Sequence, residues 1–127
     1  MKSYTDIEQS KKLMEILPLE SADGFYEAQI NPFTNKWEDI LFIGNEWASD
    51  EVVIPAWSLS ALLNLLPHTD MDGVELNNYS GDKKVWTALF HWKNMYTQIK
   101  IADNPLDAVF EVVCWFLENK EIINDKK

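Results

Sequence analysis

The sequence predicts an α+β domain built on a mainly antiparallel sheet of about four to five strands, with helices packed on one face. Three observations carry this expectation. Asn104 to Lys120, NPLDAVFEVVCWFLENK, reads as a helix that is apolar on nearly every side, the mark of a rod with more than one buried flank. Val85 to Trp92, VWTALFHW, is rich in β-formers and apolar on both of its alternating faces, as a central strand is. Short turn-forming stretches join neighbouring strands, which antiparallel pairing permits and parallel pairing does not.

Taken in order, Thr5 and Glu8 fit a T-x-x-E capping box, in which each side chain satisfies the other's backbone N–H. A helix then runs from about Asp6 to Leu17, with Ile7, Leu13, Met14 and Leu17 inward and Gln9, Ser10, Lys11, Lys12 and Glu15 in water. Pro18 ends it. Phe25 to Ile30 and Lys36 to Ile43 are two strands of a hairpin. Asn31, Pro32, Thr34 and Asn35 supply its turn. Glu51 to Ile54 is a brief extended piece before Pro55. Ser58 caps a short helix from Leu59 to Leu66, flanked by Trp57 and Leu62 at the positions of a hydrophobic staple and stopped by Pro67.

Val74 to Tyr79 is an edge strand, and Asn78 to Lys84 is turn chemistry around Gly81. After Val85 to Trp92 and a tight turn at Lys93 and Asn94, Met95 to Ile101 returns. Its alternation places Ile99 and Ile101 inward and leaves Gln98 and Lys100 on a half-exposed face. In the last helix Asn104 is the cap and Pro105 the first residue. Leu106, Val109, Phe110, Val113, Phe116 and Leu117 form a wide stripe, and Ala108, Val112 and Trp115 form a second flank. The helix is expected to lie across a sheet and touch a neighbouring helix. A chain of 127 residues with 46% hydrophobic content makes one domain with an ample core. Residues from about 124 to 127 form a frayed end.

Charge narrows the function classes. There are 21 acids against 11 bases, a formal net charge of -10, and every base is lysine. Arginine is the preferred fork for phosphate and guanine edges. Its absence within a negative field argues against direct binding to nucleic acid or to an anionic membrane. The N-terminal MKSYTDIEQSKK lacks the apolar run of a signal peptide, no stretch reaches membrane-spanning length, and Cys114 is the only cysteine. These features point to the cytoplasm. Cys114 reads as a small buried hydrophobe rather than a nucleophile.

Three blocks, YTDIEQSKKLMEILPLESADGFY, IPAWSLSALLNLLP and NPLDAVFEVVCWFLENK, together resemble a group of small acidic proteins from gut Bacteroidetes and their phages or mobile elements. The W-S-L-S-A-L-L and N-P-x-D-A segments are the most specific parts. The group has no established function. The resemblance implies a bacterial cytoplasmic setting and a mobile-element origin, with no catalytic residue to carry over.

Candidate sites are few. HTDMDG gathers His68, Asp70 and Asp72 within five residues, a donor set for a divalent metal. It echoes a calcium loop in the middle but not at its ends, and Asp-Gly-rich turns are ordinary at helix ends. His91, with an acid such as Glu75, would make a general base; a strand histidine is more often a hydrogen-bonded sheet residue. No nucleophile, phosphate-loop or zinc-protease motif is present, so no catalytic residue and no cofactor is assigned. The six tryptophans are the compositional oddity. Trp57 and Trp115 read as structural. Trp47, in a polar loop, and then Trp37, at a strand start, are the candidates for exposed contacts.

The reading that follows is a non-enzymatic protein-interaction module, with an aromatic and acidic surface for a protein partner or a second copy of itself. An acidic DNA mimic, a phage-type inhibitor of a host nucleic-acid-binding protein, is the alternative. A small hydrolase or metal-dependent enzyme ranks last.

Overall fold

The computed structural model describes residues 2–44, 53–67, 72–78, 85–92 and 96–124. The chain is α+β, with two antiparallel three-stranded sheets among the described residues in place of one sheet of four to five strands. The elements are α1 (Ile7–Met14), β1 (Gly24–Asn31), β2 (Lys36–Ile43), β3 (Ile54–Ala56), α2 (Leu59–Asn64), β4 (Gly73–Asn77), β5 (Trp86–Trp92), β6 (Tyr96–Ala102) and α3 (Pro105–Asn124). The extended piece before α2 is what divides the sheet. The strand observed there is β3, Ile54–Ala56, which begins at the last residue of the expected Glu51 to Ile54 piece, runs through Pro55 and pairs back onto β1, so the first sheet is complete before α2 begins. Two compact units result, one of Tyr4–Ser58 and one of Leu59–Lys127 together with Met1–Ser3.

In the Tyr4–Ser58 unit the strand order is β2-β1-β3, and α1 packs on β3. Pro55 sits in β3, an end strand, where a missing N–H is tolerated. The capping box exists but is shifted by one residue: Asp6 accepts from Gln9 N–H at 2.8 Å, and Gln9 Oε1 accepts from Asp6 N–H at 3.0 Å. The stretch TDIEQ contains both box patterns one residue apart. Tertiary contacts choose between them, because the Thr5 hydroxyl is engaged elsewhere, by the Ser10 hydroxyl at 2.7 Å and the Trp57 N–H at 3.1 Å. Ser10, expected in water, is therefore fully buried. Only Leu13 of the expected apolar face is buried. The helix stops at Met14, and Met14 is exposed.

The same unit holds a part-buried polar cluster. Trp57 Nε1 donates to Ser21 Oγ at 3.0 Å, and Tyr26 donates its hydroxyl to the Thr5 carbonyl at 2.7 Å. Asp23 accepts from the Ser58 N–H at 2.8 Å and from the Ser58 hydroxyl. Burial pushes the nearby Tyr4 phenol above its ordinary value, and the Asp23 carboxylate adds to the rise.

In the other unit the order is β4-β5-β6, with β5 central and β4 at an edge as its sequence suggests. α3 packs across β5 and β6 and against α2. Phe116 meets Trp92 edge-on at 4.8 Å and Phe90 at 6.0 Å, while Trp115 meets Phe90 at 6.2 Å. Asn104 caps the helix, accepting from Asp107 N–H at 2.8 Å. Lys2 pairs with Asp107 at 2.8 Å. The helix runs to Asn124, past Lys120, because no Gly or Pro follows to stop it.

The inward and outward faces of β6 are the reverse of the expectation. Gln98 stands opposite Phe90 and Lys100 opposite Ala88, on the face that α3 covers. Ile99 and Ile101 share the other face with Leu89 and Thr87 and are 60% and 67% exposed. Alternation shows which residues share a face. The aromatic pair Phe90 and Trp92 decides which face the helix covers. β6 is an end strand, and Gln98 and Lys100 are half-buried on it.

Candidate functional site

The candidate site is the ribbon formed by β1 and β2. Its tip is set by asparagines. Asn31 Oδ1 accepts from Phe33 N–H at 2.9 Å, its carbonyl accepts from Asn35 N–H at 2.8 Å, and its amide donates to both Glu38 oxygens at 3.1 Å. Asn35 takes the left-handed conformation, φ 58°, which asparagine tolerates better than other non-glycine residues. From there β1 and β2 pair one-to-one over eight positions, Asn31 with Lys36 through Gly24 with Ile43. The base is fixed by Phe25 stacked on Phe42 at 5.3 Å and by Gly44 N–H donating to the Asp23 carbonyl at 2.7 Å.

Opposed residues of an antiparallel pair share a face, so the register defines both sides of the ribbon. One side carries Ile30 with Trp37, Tyr26 with Leu41, and Ile43, interrupted by Asp39. The other carries Phe25 with Phe42, Glu27 with Ile40, and Gln29 with Glu38. All of β2 except Phe42 is exposed. Trp37 is 70% exposed, Ile43 82% and Phe33, at the tip, 96%. Scattered apolar side chains on a surface need no explanation; a set of large ones sharing one strand pair does.

Of the sequence-predicted residues, Trp37 stands on this ribbon. Trp47, His68 and Asp70 lie outside the described residues, and Asp72 is half-buried just before β4. Among the described residues no group of three His, Cys, Asp or Glu side chains is placed to hold a metal. His91 is half-buried. It shares a face with exposed Glu75, which stands opposite Leu89, two positions along. Cys114 is buried in α3. No described helix is long and apolar enough to cross a membrane. Neither Phe33, a lone aromatic among four turn formers, nor the apolar ILFI run that ends β2 is among the sequence-predicted site residues. The signal that was there is the charge within β2: Lys36, Glu38 and Asp39 in a fully buried strand would each need a partner.

No family model, curated protein or solved structure matches the chain.

Proposed function

We propose that this chain is a non-enzymatic protein-interaction module and that the β1–β2 ribbon is its contact surface. The observation that carries the reading is the exposure of Trp37 beside Ile30, Leu41 and Ile43 on one side of the ribbon, with Phe33 at its tip. Tryptophan anchors protein interfaces because it is large and rigid and loses little rotamer entropy when it is covered. The ribbon presents these side chains on paired strands with an ordered turn, so little ordering remains to be done on binding.

The test places a photo-crosslinking residue at position 37 and, as control, at the exposed position 12 of α1. The adduct partner is identified and its affinity measured with purified wild-type chain and Trp37→Ala. An adduct specific to position 37, with Trp37→Ala weakening the purified complex by about tenfold or more, supports the reading. Absence of an adduct at position 37, or unchanged affinity, ends it. The melting temperature of Trp37→Ala should stay near wild type, because exposed residues contribute within about 0.5 kcal/mol.

A further inference from the structure

We infer that the open edge of β2 accepts an added β-strand, and that the strand it fits is an extended segment in which apolar residues alternate with lysine or arginine. The inference rests on the interaction reading and adds the mode of contact and the chemistry of the partner.

β2 is the outermost strand of its sheet. One side of its backbone is paired with β1 throughout, and the other carries no strand among the described residues. Folded proteins usually blunt such an edge with a short strand, a proline, a bulge or charge. Here the strand is eight residues long, contains no proline and is paired one-to-one without a bulge. Of these devices the strand itself carries charge, as Lys36, Glu38 and Asp39. An edge of this kind offers a row of backbone groups to an extended chain, and strand addition uses that row for affinity and the alternating side chains for specificity.

The charges decide which chain fits. A second copy brings its own net charge of -10 against the same charge. Self-pairing centred on Ile40, which keeps the two apolar sides together, sets the Asp39 carboxylates of the two copies at diagonal positions, close enough to repel. A foreign strand avoids both penalties if it is cationic. The two sides of the ribbon specify its pattern. Alternate residues of the added strand meet the side of Trp37, Leu41 and Ile43, which Asp39 interrupts. The residues between them meet the side of Lys36, Glu38, Ile40 and Phe42, with Glu27 one strand further in. A period-two alternation of apolar and cationic residues sets apolar side chains against Trp37, Leu41 and Ile43 and brings cations to the side that holds Glu38.

The probe is a labelled peptide of alternating valine and lysine, eight residues long to match β2, titrated into the full chain. Two further versions are methylated on the backbone nitrogens of one or the other alternate set, and a fourth replaces lysine with glutamate. Saturable binding is expected. Methylation of one alternate set should weaken it by about tenfold to a hundredfold, as loss of two or more backbone hydrogen bonds implies, while methylation of the other set leaves it intact. The valine–glutamate peptide should not bind, Glu38→Gln should weaken the parent peptide, and raising salt from about 50 to about 500 mM should weaken it further.

No binding by the parent peptide overturns the inference. So does equal binding by both methylated versions or by the glutamate version, or a wild-type dimer in sedimentation that Trp37→Lys dissolves, since a copy would then occupy the edge. If crosslinking at position 37 succeeds while both methylated peptides bind like the parent, the ribbon stands as an interaction surface and strand addition alone fails. If both experiments fail, the interaction reading falls with it.

Discussion

Thr5 and Trp57 clasp each other through two hydrogen bonds. The Thr5 N–H donates to the Trp57 carbonyl at 2.9 Å, and the Trp57 N–H donates to the Thr5 hydroxyl oxygen at 3.1 Å. Both residues are fully buried, and the hydroxyl also meets Ser10. Replacing Thr5 with Val keeps the shape and removes the oxygen, leaving a buried N–H and a buried hydroxyl unsatisfied. Urea unfolding should show a loss of about 2–4 kcal/mol. Adding Ser10→Ala should restore part of it, because deleting both partners is less costly than orphaning one. Equal losses in the single and double variants would contradict the clasp.

Gly24 tests the packing of the same unit. A Cβ there would stand 2.7 Å from Tyr4 Cε1 and 3.1 Å from the Phe42 carbonyl oxygen. Gly24→Ala should therefore cost about 1–3 kcal/mol, the usual range for overpacking a tight site. In a Tyr4→Leu background the cost should shrink without vanishing, since the backbone contact remains. A double-mutant cycle on the melting curves measures the difference.

Tyr4 links stability to alkaline pH. Its phenol is raised in the fold first by burial and then by Asp23. The unfolded chain ionises near the ordinary value of about 10, so above that pH the unfolded state gives up the proton first. The stabilisation is fully present below about pH 10 and is lost as pH rises through the folded value. Subtracting the ultraviolet titration of Tyr4→Phe from that of wild type should leave a one-tyrosine curve with its midpoint above about 10. Stability of Tyr4→Phe should fall less steeply over the same range.

Cys114 reports on α3. It is the only thiol and it is buried, at 5% exposed. A thiol-specific reagent should label the native chain at least about a hundredfold more slowly than the chain in denaturant, because labelling waits for the helix to open. Equal rates would mean that the helix is not packed as described.

Much of the fold could be read from residues whose neighbours in sequence set their roles. Asn104 and Pro105 start the last helix where their chemistry places them, and Lys36–Ile43 is a strand over its expected span. The misreadings arise where distant contacts decide between local options. Thr5 and Asp6 both suit a cap, and Trp57, 52 positions away, takes the threonine. Ile99 and Gln98 suit either side of β6, and the aromatic face of β5 chooses. Of the candidate site, Trp37 was legible from its place at a strand start. Its company was not, because LFI looks the same in a covered strand and in an open one. Only the pairing partners, Ile30 for Trp37 and Tyr26 for Leu41, bring the exposed side chains together.

The ion pair between Lys2 and Asp107 joins residues 105 positions apart within a single unit. That unit is discontinuous: a short leading piece belongs to the half of the chain that is synthesised last, while Tyr4–Ser58 is one uninterrupted run. On the ribosome the inner block has all its residues long before the outer one can close. A purification tag fused at the amino end should accordingly disturb the carboxyl-terminal helix first.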